Sequence, residues 1–304
     1  MNPLTALVAD GTLKESAELS AFTTYKFGGS ARWLAEVGDD ETLHRLVGGL
    51  EAHGDVEVAV VGRGSNLVVS DRGFDGVVIR LVGDYLAIDA DATPVTAGGA
   101  APLPLLARDT VKAGRGGLEF FVGIPGSVGG AVRMNAGGHG TETADVLVEA
   151  EVVDLRSGSR SRRSSEDLEL RYRHSNLDTH ELVTRAWFDT TAQDPEIGER
   201  RLREITQWRK EHQPGGTFNA GSVFKNPPGD YAGRIIDDLG LKGFRVGGAS
   251  VSERHANFFV ADPATSAQDI HDLVMEVRSR VSAATGIDLE PEIVFLGEFG
   301  HEHG

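Results

Sequence analysis

Cysteine is absent from the 304 residues. That absence excludes disulfide scaffolds, thiolate nucleophiles, iron–sulfur clusters and cysteine-ligated zinc together, and it fits a reducing compartment. Basic residues are few: 30 Lys and Arg stand against 46 Asp and Glu, a formal charge of −16. A surface this acidic repels nucleic acid and anionic membrane, so any anionic ligand must be drawn by locally concentrated Arg, Lys and backbone N–H groups. There is no run of ~18 apolar residues, and Met1–Gly11 carries no basic residue ahead of an apolar core. Neither a membrane span nor a secretory leader is expected, and a cytoplasmic protein is. Also missing are a P-loop ending in Gly-Lys, a His-Glu-x-x-His pair and a Gly-x-Ser-x-Gly elbow, so Walker-type hydrolysis, zinc proteolysis and α/β-hydrolase chemistry lose their usual support.

What is abundant is glycine, 39 residues, about 13% against a typical ~7%. The glycines cluster, which marks places where backbone turns sharply or approaches a ligand closely. Hydrophobic residues at 40% and charged residues at 25% are ordinary globular usage, and the length suffices for two or three compact units.

Along the chain, Asp39 to Gly54 reads as a helix with Asp39 as N-cap, Leu43, Leu46, Val47 and Leu50 as its apolar stripe and Gly54 as its stop. Val56–Val61, Leu67–Ser70, Val77–Leu81 and Thr93–Gly99 read as strands. A helix follows from about Pro102 to Gly114, then a stretch, Leu118–Gly140, too rich in glycine for one regular element to persist. Strands at Val146–Leu155 and Leu182–Thr190 flank a basic, Ser-rich connection, Arg156–Ser165, expected as a solvated hairpin or loop. A helix ending near His212 is expected to make apolar contacts through Ile197, Leu202, Ile205 and Trp208, and the main boundary is placed at the linker before it. The last third predicts a helix near Ala232–Leu239, a strand near Asn257–Ala261, a strongly periodic helix at Ala267–Thr285 and a closing strand at Leu289–Leu296. Mixed strands and helices without strict βαβ alternation predict an α+β fold. The tail His301-Glu302-His303 reads as a frayed end, and no metal site is expected.

Four segments carry candidate chemistry. Gly62-Arg63-Gly64-Ser65-Asn66 follows a strand and reads either as a structural turn or as a nest whose N–H groups, with Ser65 and Asn66, meet pyrophosphate oxygens. Gly123-Ile124-Pro125-Gly126-Ser127-Val128-Gly129-Gly130 lets main chain lie flat against a ring or diphosphate, or simply packs on a sheet. Arg171-Tyr172-Arg173 is a surface basic cluster or, if extended, a carboxylate clamp with both arginines on one face and Tyr172 on the other. Gly221-Ser222 with Lys225 and Asn226 reads as a turn or as a compact anion-and-amide surface suited to a nucleotide-bearing substrate. Glu292 aligns with Val294 and Leu296 in the closing strand; it is either edge-exposed or buried, and burial would favour its protonated form.

Read together, these segments resemble the UDP-N-acetylenolpyruvoylglucosamine reductases, flavoproteins that make UDP-N-acetylmuramate for bacterial cell walls. The likeness runs from Thr23-Thr24 and Gly28-Gly29-Ser30-Ala31 to Leu296-Gly297, through Met134-Asn135-Ala136-Gly137, Tyr172-Arg173-x-Ser175, Gly221 to Pro227, His255-Ala256-Asn257-Phe258 and Leu289-x-x-Glu292-Ile293. The resemblance implies a fold of the vanillyl-alcohol-oxidase (PCMH) type, with two α+β FAD-binding subdomains at 1–84 and 85–194 and an α+β substrate-binding domain at 195–304. It implies FAD contacts from Gly62, Arg63, Gly64, Ser65, Asn66, Gly123, Ile124, Pro125, Gly126, Ser127, Gly129, Gly130, Asn135, Ala136 and Gly137. Arg173, Ser222 and Glu292 take the catalytic positions, and Tyr172, Gly221, Lys225 and Asn226 those near the UDP-sugar enolpyruvyl substrate. His139 follows Gly138 where relatives often show Ala-Tyr, and the interval from Arg173 to Ser222 has no room for the tyrosine-bearing loop of one subgroup, so no capping tyrosine is expected.

The implied reaction has NADPH reduce FAD, a hydride pass from flavin N5 to C3 of the enolpyruvyl group, and Ser222 protonate C2. Arg173, assisted by Glu292, stabilises the charge that develops between those steps. The competing readings are another FAD oxidoreductase on this scaffold and a non-enzymatic nucleotide-sugar binder. Substrate-dependent flavin reoxidation separates the first, and a colourless protein the second.

Overall fold

The computed structural model describes residues 3–216 and 218–300; the His301–His303 tail lies outside them. The chain forms two compact units, each assembled from separate stretches: one takes the residues up to Glu15, Trp33–Arg63 and Gly76–Arg209, the other Ser16–Arg32, Gly64–Asp75 and everything from Lys210 onward.

The first unit is built around two larger sheets. In a four-stranded sheet the order is Lys14–Glu18, Ser30–Val37, Phe74–Leu81, Val58–Val60, with Val58–Val60 parallel to its neighbour. The Asp40–His53 helix begins where expected, because the Asp39 carboxylate accepts the Thr42 N–H at 2.7 Å, and ends at Gly54, whose φ of 86° suits glycine. Its stripe Leu43, Leu46, Val47 and Leu50 is buried with Trp33, Val77 and Ile79.

The second sheet of this unit is antiparallel throughout, in the order Arg160–Ser164, Leu147–Asp154, Glu181–Phe188, Val95–Gly98, Ile88–Asp89. The basic connection is therefore a hairpin whose second strand, Arg160–Ser164, pairs with Leu147–Asp154, where Arg162 meets Glu149 at 2.8 Å. The helices Leu103–Lys112 and Val128–Met134 share a buried core with this sheet. A two-turn helix thus does form inside the glycine-rich stretch, because Gly129 and Gly130 leave space where side chains would crowd: a Cβ at Gly129 would stand 3.2 Å from the Gly99 carbonyl oxygen.

The Pro195–His212 helix departs from expectation. Ile205 is buried, but Ile197 and Trp208 are exposed by 46% and 43%. The apolar spacing in this charged helix is too sparse to bury a full stripe.

In the second unit the helix Ala267–Thr285 has the bounds its periodicity predicts. Ile270, Leu273, Val274, Val277 and Val281 are fully buried, and Ser266 and Asp269 cap its start reciprocally. It shares a core with the Ala232–Asp238 helix and the antiparallel strands Arg245–Val246, Ala249–Val251 and Phe259–Ala261. The closing strand is shorter than expected, Val294–Leu296, and runs parallel to Leu67–Val69. Both units are α+β, and among the described residues no helix is long and apolar enough to cross a membrane.

Candidate active site

The first unit supplies glycine-lined backbone and two arginines, Arg63 and Arg173. Gly62 and Arg63 leave the Val58–Val60 strand, and neither backbone N–H has a partner among the described residues. A Cβ at Gly62 would lie 2.4 Å from the Ser127 hydroxyl oxygen, so the turn passes close against Ser127. The Arg63 guanidinium donates to the Pro125 carbonyl at 3.2 Å, which joins the turn to the Gly123–Gly130 loop. Ser127 is only 3% exposed, precedes the Val128–Met134 helix, and its hydroxyl has no partner among the described residues. Nearby in sequence, buried Glu119 accepts the Gly117 N–H at 2.9 Å through Oε2, while its Oε1 has no partner among the described residues. Unpaired N–H groups, a recessed hydroxyl and an orphaned acceptor beside side-chain-free backbone fit a ligand carrying both phosphates and hydroxyls.

At the end of the Val128–Met134 helix, Asn135 takes a left-handed conformation, φ 40°, and is fully buried. Its Nδ2 donates to Glu142 at 2.8 Å and to the Arg171 carbonyl at 3.0 Å, and its Oδ1 accepts the Ala144 N–H at 2.8 Å. Gly137-Gly138 and Thr141-Glu142 then form a two-residue hairpin, with His139 and Gly140 both at positive φ. The His139 ring meets Trp208 edge-on at 5.1 Å, and burial, reinforced by Arg201 and Arg209, holds its pKa below the ordinary value.

Arg171 to His174 is not extended. Arg171 and His174 exchange both backbone hydrogen bonds, 3.1 and 3.0 Å, which closes a tight turn over Tyr172 and Arg173, and Arg173 has φ 51°. The two arginines therefore diverge: Arg171 pairs with Glu169 in solvent, while Arg173 folds inward. There its guanidinium donates to the Asn135 carbonyl at 3.4 Å and the Gly137 carbonyl at 3.2 Å, lies 3.9 Å from Glu142, and covers the Tyr172 ring at 4.9 Å.

The second unit brings Asn66, Ser222 and Glu292 to one place. Gly64 has φ 60°, and its carbonyl accepts the Thr24 N–H at 3.2 Å; the N–H groups of Gly64, Ser65 and Asn66 have no partner among the described residues. The Asn66 carboxamide donates to the Glu292 carbonyl at 3.0 Å. Val223 is held from both sides: its N–H donates to the Asn257 carbonyl at 2.8 Å, and its carbonyl accepts the Glu292 N–H at 2.7 Å. Ser222 precedes it, half-buried, bridged to Phe258, and its hydroxyl has no partner among the described residues. Glu292 is partly exposed. It precedes the Val294–Leu296 strand, with Ile293 buried and Val294 exposed, so of the two readings open for Glu292 the exposed edge fits and full burial does not.

Gly221 uses φ 77° and donates to Asn219 at 3.1 Å. Lys225 is paired with Glu290 at 2.7 Å, and the Asn226 Oδ1 accepts the Ala232 N–H at 3.1 Å at the start of the following helix. Sequence reasoning assigned no role to Asn257, whose carboxamide holds the Phe224 peptide, or to Glu142. The motif containing Asn257 was visible, but its backbone partner, 33 residues away, was not.

Residues 213–296 match the family model described as UDP-N-acetylenolpyruvoylglucosamine reductase, C-terminal domain, and residues 32–162 match an FAD binding domain. The UDP-N-acetylenolpyruvoylglucosamine reductase of Parvibaculum lavamentivorans is 42% identical over 94% of this chain and 92% of its own length. Reductase 2 of Symbiobacterium thermophilum is 41% identical over 97% and 96%. Among solved structures, the UDP-N-acetylenolpyruvylglucosamine reductase of Thermus caldophilus superposes with a TM-score of 0.81 at 37% identity, covering 94% of this chain and 100% of that one. Full-length identity at this level, with matches in both the cofactor and the C-terminal regions, is decisive: the chain belongs to the UDP-N-acetylenolpyruvoylglucosamine reductase family.

Proposed function

We propose that this protein is an FAD-dependent reductase that converts UDP-N-acetyl-3-O-(1-carboxyvinyl)-glucosamine to UDP-N-acetylmuramate with NADPH, in the cytoplasm, as a step of peptidoglycan precursor synthesis. The segments 1–84 and 85–194 serve FAD, and 195–304 serves the substrate. No side chain is a practical hydride donor, and bound FAD supplies that chemistry at N5.

The residues that hold FAD are the Gly62–Asn66 turn, the Gly123–Gly130 loop and Asn135–Gly137. Asn135 acts there through its backbone, since its carboxamide is committed to Glu142, Arg171 and Ala144. Arg173 stabilises the negative charge shared between C2 and the substrate carboxylate, with Glu292 assisting. Ser222 donates the proton to C2. A hydroxyl is a weak acid, so the step depends on a strongly basic carbon held at hydrogen-bond distance.

The observation that carries this reading is the arrangement around Val223. One peptide ties Ser222 and Glu292 into a shared backbone framework, while the Ser222 hydroxyl keeps its donor uncommitted among the described residues. The test is the visible spectrum of the purified protein before NADPH, after it, and after the enolpyruvyl substrate. A flavin spectrum that bleaches with NADPH and returns with substrate supports the reading. A colourless protein that takes up no flavin, or a bleached flavin that the substrate does not reoxidise, overturns it.

A further inference from the structure

We propose that Glu142 is the positioning residue for Arg173, acting through Asn135. The inference rests on the role proposed for Arg173. The Arg173 guanidinium donates to two backbone carbonyls, those of Asn135 and Gly137. Carbonyl acceptors hold a guanidinium only as firmly as the backbone that presents them. Here that backbone is a left-handed Asn135 followed by a glycine hairpin, so its placement rests on the contacts made around it.

Glu142 constrains this backbone and the guanidinium from three directions. Its Oε2 accepts from the Asn135 carboxamide at 2.8 Å, which fixes the residue whose carbonyl faces Arg173. Its stem lies against Gly137, directly opposite in the hairpin, where a Cβ would stand 2.8 Å from the Glu142 Cγ. Its Oε1 lies 3.9 Å from the guanidinium, close enough to bias its orientation but too far to take up one of its hydrogen bonds. The backbone of Glu142 is itself anchored, since its N–H donates to Asp145 at 2.8 Å. Asn135 completes the frame by donating to the Arg171 carbonyl, at the base of the turn that carries Arg173. The carbonyls that accept from the guanidinium and the base of the turn that delivers it are thus all linked to Glu142, by its carboxylate through Asn135 and by its stem at Gly137. A guanidinium misplaced by about 1 Å loses up to ~100-fold in rate.

The experiment uses the holoenzyme and the variants Glu142→Ala, Glu142→Gln, Arg173→Ala and the double variant Glu142→Ala/Arg173→Ala. Stopped-flow absorbance follows flavin reduction by NADPH and reoxidation by substrate separately, and calorimetry gives the affinity of the oxidised holoenzyme for the enolpyruvyl substrate. Glu142→Ala is expected to retain flavin and wild-type reduction, to slow reoxidation by about tenfold to 100-fold, and to weaken substrate binding in the calorimeter. Glu142→Gln, which keeps an acceptor for Asn135, should restore reoxidation to within about threefold, and the double variant should be no slower than Arg173→Ala alone.

Wild-type reoxidation in Glu142→Ala, equal damage to both half-reactions, a Gln variant as slow as the Ala variant, or effects that multiply in the double variant would each overturn the inference. If Arg173→Ala also reoxidises normally, the role proposed for Arg173 falls with it. If Arg173→Ala is slow and Glu142→Ala is not, the positioning role alone is lost.

Discussion

Asn257 grips the peptide of Phe224 at both ends: its Oδ1 accepts the Phe224 N–H at 3.0 Å and its Nδ2 donates to the Phe224 carbonyl at 2.8 Å. Both residues are buried, and the Asn257 carbonyl also accepts the Val223 N–H. One side chain and its backbone therefore hold the two residues that follow Ser222. Asn257→Ala leaves two buried groups unpaired, at about 1–3 kcal/mol each. A lower thermal midpoint is expected, together with slower substrate-driven flavin reoxidation. An unchanged midpoint would show that the loop is held by other contacts.

Gly64 is the position in the first glycine turn least tolerant of a side chain. Its φ is 60°, and a Cβ would stand 2.0 Å from the Phe22 carbonyl oxygen, a backbone atom that cannot rotate aside. Gly64→Ala should cost about 1–3 kcal/mol through conformational strain alone, with more from the collision, and should purify with less flavin. Flavin content and midpoint equal to wild type would contradict the close approach of Gly64 to Phe22.

Stability should fall on acidification below about pH 6.5, the range in which an unperturbed histidine protonates. Burial holds the His255 pKa below its ordinary value, with Lys242 and His212 acting in the same direction, and its Nδ1 accepts the Asn257 N–H at 3.3 Å, which only an unprotonated nitrogen can do. Because the folded pKa is depressed, the unfolded chain binds the proton first. The stabilisation is present above the unfolded pKa and is lost as pH falls through the folded one. The depressed pKa of His139 contributes with the same sign. Thermal midpoints measured from pH 7.5 to 5 should decline, and His255→Asn should flatten the decline; parallel curves for the two proteins would remove His255 as a cause.

Much of the fold was legible where local signals and tertiary packing agree. The Ala267–Thr285 helix carried its stripe, its capping box and its terminal Gly286 in the sequence, and all three are realised. The site was legible as motifs but not as geometry. Arg171 and Arg173 alternate in sequence as a strand would, yet the turn between Arg171 and His174 sends them apart, because Arg173 gains buried carbonyl partners that only the folded Asn135–Gly137 backbone provides. For Glu292 period-two reasoning leaves an exposed and a buried reading open; the regular strand begins only at Val294, and Glu292 just before it is partly exposed. Trp208 is expected among the apolar contacts of its helix, and its ring instead meets His139 from the exposed side of a helix too charged to bury it. For Arg173 and Trp208 the deciding partner is distant in the chain.

The roles given to Ser222 and Glu292 can be separated from cofactor binding by measuring each half-reaction in Ser222→Ala and Glu292→Gln. Proton donation by a positioned group contributes about 100-fold to 10,000-fold. Ser222→Ala should therefore keep its yellow colour and its rapid bleaching by NADPH while recovering colour with substrate at least about 100-fold more slowly. Recovery at the wild-type rate, or an equal loss in both half-reactions, would contradict the assignment of Ser222 as the proton donor.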